Sequence, residues 1–278
     1  MSVNPGEIFQ GAVLIVAPHM DDEVLACGGL ITKHPGKERI HIIYATDGMK
    51  SPSPIIPGRD LITPDLGEVR VHESRAAMRL LGVPDENLHF LRLPEAQLKK
   101  HIEPFKAMIL KKISEIKPDH IFVPFRFDRH PDHLAVNRVV TNARRQGHTQ
   151  ANIVEYFVYY RWKLLPARDI RKYIKPSLLM VLPIDDVAHR KRQALDCFKS
   201  QTTIFYPWQT RPILTSTLLD EDCRHPEYFL SHDSSIRGAA VFTKYIPWIR
   251  VVHRSEPFLK KWKYLTGAFL KRVVQRRV

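Results

Sequence analysis

Ala12-Val13-Leu14-Ile15-Val16-Ala17 runs directly into Pro18-His19-Met20-Asp21-Asp22-Glu23. The first six residues are apolar without interruption, as expected of a strand buried on both faces. The chemistry then reverses within two residues. An imidazole and three carboxylates arrive together, and a helical pattern follows over residues 21–33, with Gly28 and Gly29 permitting close packing. A strand that ends in a polar cluster and turns into a helix is the first half of a βαβ unit.

The same alternation continues downstream. Strands are expected at residues 39–45, 87–93, 120–124, 153–160 and 177–182, and helices at 68–81, around 105–116, at 132–145 and at 185–200. Residues 49–66 are proline-rich and irregular, which suits a loop beside an active site. Beyond Gln201 the periodicity weakens and no element is assigned. The β-α-β-α order implies an α/β fold, a Rossmann-like parallel sheet with right-handed crossovers and helices on both faces. Ligands in such folds sit outside the carboxyl ends of the strands.

Composition narrows the class. With 44% hydrophobic and 26% charged residues over 278 positions, the chain can bury a substantial core. Three cysteines cannot build a disulfide framework, so a reducing compartment is expected. No run of 18 apolar residues is present, and the first residues lack the basic stretch of a signal peptide. The expected location is the cytoplasm, with peripheral contact at the inner membrane face as an extension of it. Lys and Arg number 43 against 29 Asp and Glu, a formal net charge of +14, which favours acidic partners. Much of that excess lies at the end. Residues 250–278 hold nine Lys/Arg and one Glu, with Phe258, Trp262, Leu265, Phe269 and Val273 at helical spacing. The domain reading is therefore one α/β unit over residues 1–250 and a basic amphipathic helix over 251–278. That helix either packs its apolar stripe on the domain or lies on an anionic membrane.

Two clusters carry the chemistry. One is His19-Met20-Asp21-Asp22-Glu23 after the first strand, and the other is Arg129-His130-Pro131-Asp132-His133 after the fourth. The sheet rule brings both to one edge. Imidazole nitrogen and carboxylate oxygen suit Zn²⁺, and a catalytic zinc keeps three protein ligands and an open position. His19, Asp22 and His133 would supply two nitrogens and one oxygen. Zinc lowers the pKa of its water from 15.7 to about 7, which makes a nucleophile at neutral pH. Asp21, beside a ligand, is placed to take that proton as general base. His130 would donate to a developing oxyanion or leaving amine, and Asp132 would orient one of the imidazoles. Iron(II) or cobalt(II) would fit the same ligand set.

APHMDDE followed by a distant HPDH resembles the PIG-L/LmbE-type N-deacetylases, zinc-dependent hydrolases that remove acetyl groups from amino-sugar conjugates. The resemblance implies a Rossmann-like fold, His19, Asp22 and His133 as metal ligands, Asp21 as base, and His130 as the group that steadies the tetrahedral intermediate. Weaker similarities extend it. Thr46-Asp47-Gly48 resembles the family's second strand end. Glu68-x-Arg70-x-x-Glu73 resembles its next helix, where an arginine often meets substrate. Lys191-x-x-Ala194 and Ser200-Gln201 resemble a late helix. The match spans roughly residues 10–201, and Met20 departs from the usual proline at a position that is not a ligand. Arg70 and Asp47 are thereby candidates for substrate contact, each with a plain alternative as a surface ion pair or a turn residue. Arg126 and Arg129 flank the second motif within reach of a phosphate or uronate, and a solvated loop is the simpler reading of both.

The expected function is metal-dependent removal of an N-acetyl or other N-acyl group from an N-acetylated amino sugar or its conjugate. Two other classes compete. Two histidines and a carboxylate also make the facial triad of non-haem Fe(II) oxygenases, and the high positive charge suits a nucleic-acid-binding protein. The extra carboxylate Asp21 speaks against the first. The absence of any recognisable nucleic-acid motif speaks against the second.

Overall fold

In the computed structural model, described for residues 10–53, 65–161, 165–236 and 241–242, seven strands form one sheet. The strands are β1 (Val13–Ala17), β2 (Ile40–Thr46), β3 (Leu88–Leu93), β4 (His120–Pro124), β5 (Asn152–Tyr156), β6 (Leu179–Leu182) and β7 (Glu227–Ser231). Their order across the sheet is β3-β2-β1-β4-β5-β7-β6. The first five pair in parallel, whereas β7 runs antiparallel to both β5 and β6. The reversal of strand order beside β1 places a crevice between β1 and β4, where this fold class binds ligands.

The α/β expectation is met, with a mixed far edge that the sequence did not announce. Helices α1 (Asp22–Lys33), α2 (Leu66–Leu81), α3 (Ile102–Ile116) and α4 (Pro131–Arg145) follow the strands as their spacing implied. Side chains of β1 alternate between two cores. Val13, Ile15 and Ala17 join one with Val24, Leu30 and Met78, while Leu14 and Val16 join the other with Phe105, Ile109 and Val136. Burial on both faces is why the strand reads as a continuous apolar run. Each such aliphatic side chain contributes about 1.5–3 kcal/mol through burial.

Three expectations need correction. The strand expected over 153–160 leaves the sheet after Tyr156. Phe125 closes that end by donating its N–H to Tyr156 O at 2.9 Å, and Val158, Tyr159 and Tyr160 turn to line a cavity instead. The helix expected over 185–200 is two helices, α5 (Ala188–Leu195) and α6 (Lys199–Thr202). The break lets Ser200 give both its N–H and its hydroxyl to the Glu73 carboxylate, at 2.7 and 2.6 Å. Beyond Gln201 lie α7 (Ser216–Arg224) and β7, neither of which was assigned.

These late elements clamp α1. Glu227 of β7 accepts the N–H groups of Gly29 and Leu30, at 2.6 and 2.8 Å. Lys191 of α5, fully buried, donates to Leu25 O at 2.8 Å and pairs with Asp222 and Glu227 at 3.0 Å each. Gly29 is required by this approach, because a Cβ there would lie 2.2 Å from Ile184 Cγ2. The basic helix expected over 251–278 lies outside the described residues. Among the described residues no helix is long and apolar enough to cross a membrane.

Candidate functional site

Both motif clusters sit where the crevice rule places them. His19 follows β1 and Asp22 opens α1, while His130 caps α4 and His133 occupies its first turn. Pro131 stands at the first helical position, where its missing N–H costs nothing. His130 Nδ1 accepts the N–H of Asp132 at 3.3 Å, which in the neutral ring leaves the proton on Nε2.

Three ligand-type atoms converge. His19 Nδ1 lies 3.1 Å from Asp22 Oδ2 and 3.4 Å from His133 Nε2, and the latter two are 3.2 Å apart. An ion held tetrahedrally at about 2.0–2.1 Å separates its ligands by roughly 3.3–3.4 Å. The triangle therefore has the size a zinc-like ion needs. A looser trio, His19, His130 and His133, brings its ring nitrogens within 4.8 Å of one another and could also hold a metal. The tighter set better matches the N/N/O chemistry of a catalytic site.

The far sides of the two imidazoles strengthen that fit. His19 Nε2 faces Asp132 Oδ2 at 3.4 Å, and His133 Nδ1 faces Asp128 Oδ2 at 3.2 Å. A carboxylate behind each ligand histidine fixes the ring and raises its basicity. Asp132 is itself held by the N–H groups of Ala96 and Leu98, at 2.6 and 3.1 Å. Asp132 thus positions His19 through a rigid carboxylate.

Carboxylates crowd the two imidazoles and favour positive charge on them. Burial opposes a charged His19, but Asp132 and Asp22 outweigh it and push the imidazole up to about 10. His133 is likewise pushed up to about 9, against burial, by Asp128 and Asp22. Burial would raise Asp22, yet the two histidines hold it well below the usual carboxylate range. The buried cluster requires positive charge, and a divalent ion can replace the protons.

Asp21 stands beside the triangle with a backbone φ of 134°, a conformation that non-glycine residues avoid. Its N–H is held by Glu23 Oε2 at 3.0 Å, and Glu23 in turn accepts from Tyr44. Arg70 Nη2 lies 3.3 Å from Asp21 Oδ2 and also donates to Met20 O. Burial is the main influence on this carboxyl and pushes it up to about 7, with Arg70 pulling down and Asp22 pushing up. That value suits a group taking a proton at neutral pH.

His19, Asp21, Asp22 and His130 line the floor of a cavity of about 590 Å³. Its walls include Leu25, Val158, Tyr159, Ile213, Leu214 and Leu218, and its rim includes Lys50, Ser51, Ser53 and Arg129. Arg70 reaches the cavity, but it is only 1% exposed and committed to Asp21. Asp47 does not line it. Its Oδ1 accepts the N–H groups of Met49 and Glu95, at 3.2 and 3.1 Å, so in this structure it shapes the turn beside the cavity. The residue facing the cavity from that region is Glu95, 4.0 Å from His19 Nε2. Sequence reasoning also passed over Asp128 and Tyr159. Asp128 had one signal, a carboxylate five residues before His133 on the loop after β4, while Tyr159 had none.

Residues 14–144 match the family described as PIG-L: GlcNAc-PI de-N-acetylase. That stretch of the chain is similar to the PIG-L family. Solved structures with this fold include the N,N'-diacetylchitobiose deacetylase of Pyrococcus horikoshii, at 20% identity and a TM-score of 0.58 over 81% of this chain and 85% of that one. A teicoplanin deacetylase in its zinc-inhibited form is 16% identical, with a TM-score of 0.58 over 81% of this chain and 100% of that one. The 4-carboxy-2-hydroxymuconate hydratase of Pseudomonas putida KT2440 is 17% identical, with a TM-score of 0.54 over 69% and 80%. At such identities the likeness is one of fold, and the fold alone hosts both hydrolysis and hydration.

Proposed function

We propose that this chain is a PIG-L-type, metal-dependent hydrolase that releases an N-acetyl or related N-acyl group from an amino sugar or its conjugate. The observation that carries the reading is the N/N/O triangle of His19, Asp22 and His133, backed by two carboxylates and floored beside Asp21. His19 Nδ1, Asp22 Oδ2 and His133 Nε2 would hold the ion. A bound divalent ion would supply Lewis acidity to the acyl carbonyl and acidify a water at neutral pH.

The remaining work falls to the chain. Asp21 accepts the proton of the attacking water, and Arg70 fixes that carboxylate from behind. His130, with its proton on Nε2, faces the oxygen that gains charge when the carbonyl is attacked. The amine leaves after protonation, with the proton that Asp21 took available to it. The apolar wall of Leu25, Val158 and Leu218 limits water around the reacting amide. Substrates of this type are supported by the family match and by the deacetylases that share the fold, which are described as acting on chitobiose and teicoplanin chemistry.

The test is amine release from a panel of N-acetylglucosamine derivatives by chelated and metal-reloaded protein. The expected result is activity that disappears with chelation and returns with a stoichiometric divalent ion. Equal release by the chelated protein would contradict metal dependence, and no release from any N-acylated sugar would contradict the substrate class.

A further inference from the structure

The cations around the cavity are not equivalent. Of the four that line it, Arg70 is committed to Asp21, and Arg161 is paired with Glu221. Lys50 and Arg129 have no ion pair among the described residues. Of the acidic side chains, Asp22 faces the two histidines, Asp222 faces Lys191, and Glu95 holds the backbone N–H of Lys50 at 2.7 Å with His19 Nε2 at 4.0 Å. The cavity cations that remain for a ligand are Lys50 and Arg129.

Arg129 is also shaped for a ligand. Its guanidinium carbon lies 4.6 Å from the centre of the Tyr159 ring. That ring packs in turn against His133 and His130, with centroids 5.1 and 6.1 Å apart. A guanidinium laid on an aromatic face keeps its N–H fork free at the edge, where it can meet two oxygens of an oxyanion. The neighbouring Arg126, equal to it in the sequence, is different. Its Nε bonds both oxygens of Glu155, at 2.9 and 3.0 Å, and its Nη2 donates to His232 O at 2.6 Å.

The geometry points to an oxyanion subsite on the cavity rim, where Arg129 stacked on Tyr159, with Lys50, takes a phosphate or carboxylate group carried by the amino-sugar conjugate. The inference deepens the proposed function and rests on its placement of the scissile amide at the cavity floor. An anion held one tyrosine ring from His133 would anchor the sugar with its acyl group over Asp21.

Binding is measured by calorimetry on the metal-loaded Asp21→Asn protein, so that nothing is consumed. The probes are N-acetylglucosamine, its 1-phosphate and the corresponding uronate. The anionic sugars should bind roughly 10–100-fold more tightly than the neutral one, as charge-assisted hydrogen bonds allow. Adding Arg129→Ala should bring that ratio to near one, and Arg129→Lys should restore part of it. The stronger of the two anionic arms identifies the group. An unchanged ratio after Arg129→Ala places the anion on the metal and overturns the subsite, as does equal binding of all three, or no binding of any. Amine release from the same compounds by the otherwise unaltered enzyme reports separately on the hydrolase reading. A ratio that collapses with Arg129→Ala while no amine is ever released would retain the subsite and remove the reaction.

Discussion

The floor of the cavity and its far wall are built on different principles. The floor comes from two short motifs, each rigidly attached to the end of a buried parallel strand, β1 or β4. The far wall comes from α7 and the turn after β5, held by the long-range ionic trio of Lys191, Asp222 and Glu227. Chemistry is therefore encoded locally, whereas the shape that receives the substrate is encoded by contacts between residues far apart in the chain. Substitutions in the floor should abolish turnover and spare stability, and substitutions in the clamp should do the reverse.

The largest effect is expected for Asp21→Asn. Turnover should fall about 10²–10⁴-fold with the metal content unchanged, the range expected for losing a general base. Near-normal turnover in a metal-replete variant would remove Asp21 from the chemistry. Next comes Lys191→Met, which leaves Asp222 and Glu227 buried without their cation. It should cost about 3–5 kcal/mol in denaturant unfolding, the penalty for breaking a buried pair from one side. A loss below about 1 kcal/mol would mean that the clamp on α1 is not ionic.

Asp128→Asn tests whether the histidines are held from behind. Metal affinity should weaken about 10–100-fold, as for other carboxylates behind ligand imidazoles, with little change in melting temperature of the metal-free protein. Unchanged affinity would reduce Asp128 to a loop cap that takes the His130 N–H. The smallest effect is expected for Asp47→Ala. It removes two accepting bonds and should cost about 1–2 kcal/mol of stability while KM moves little. A tenfold rise in KM with unaltered stability would return Asp47 to the substrate.

The same contrast explains what could be read from the residues alone. Strand β1 is legible because both its faces are buried, and the two clusters are legible because histidine and aspartate at strand ends have few other uses. Residues 153–160 misled because Val158, Tyr159 and Tyr160 are as apolar as a strand interior, although they serve a cavity wall. Strand β7 escaped notice because it begins with Glu227, a residue that strands usually exclude. That carboxylate is tolerable only because Lys191, 36 positions earlier in the chain, neutralises it. A motif position marked Asp47, whose Oδ1 holds two backbone N–H groups of the turn, whereas Glu95 faces the cavity from a segment with no motif.

The central claim is that one divalent ion is shared by His19, Asp22 and His133. Anomalous diffraction at the absorption edge of the bound metal locates such an ion directly. The account expects a single peak about 2.0–2.2 Å from His19 Nδ1, Asp22 Oδ2 and His133 Nε2. A peak bridging His19, His130 and His133 with Asp22 detached, or no peak in crystals soaked with zinc, would contradict it.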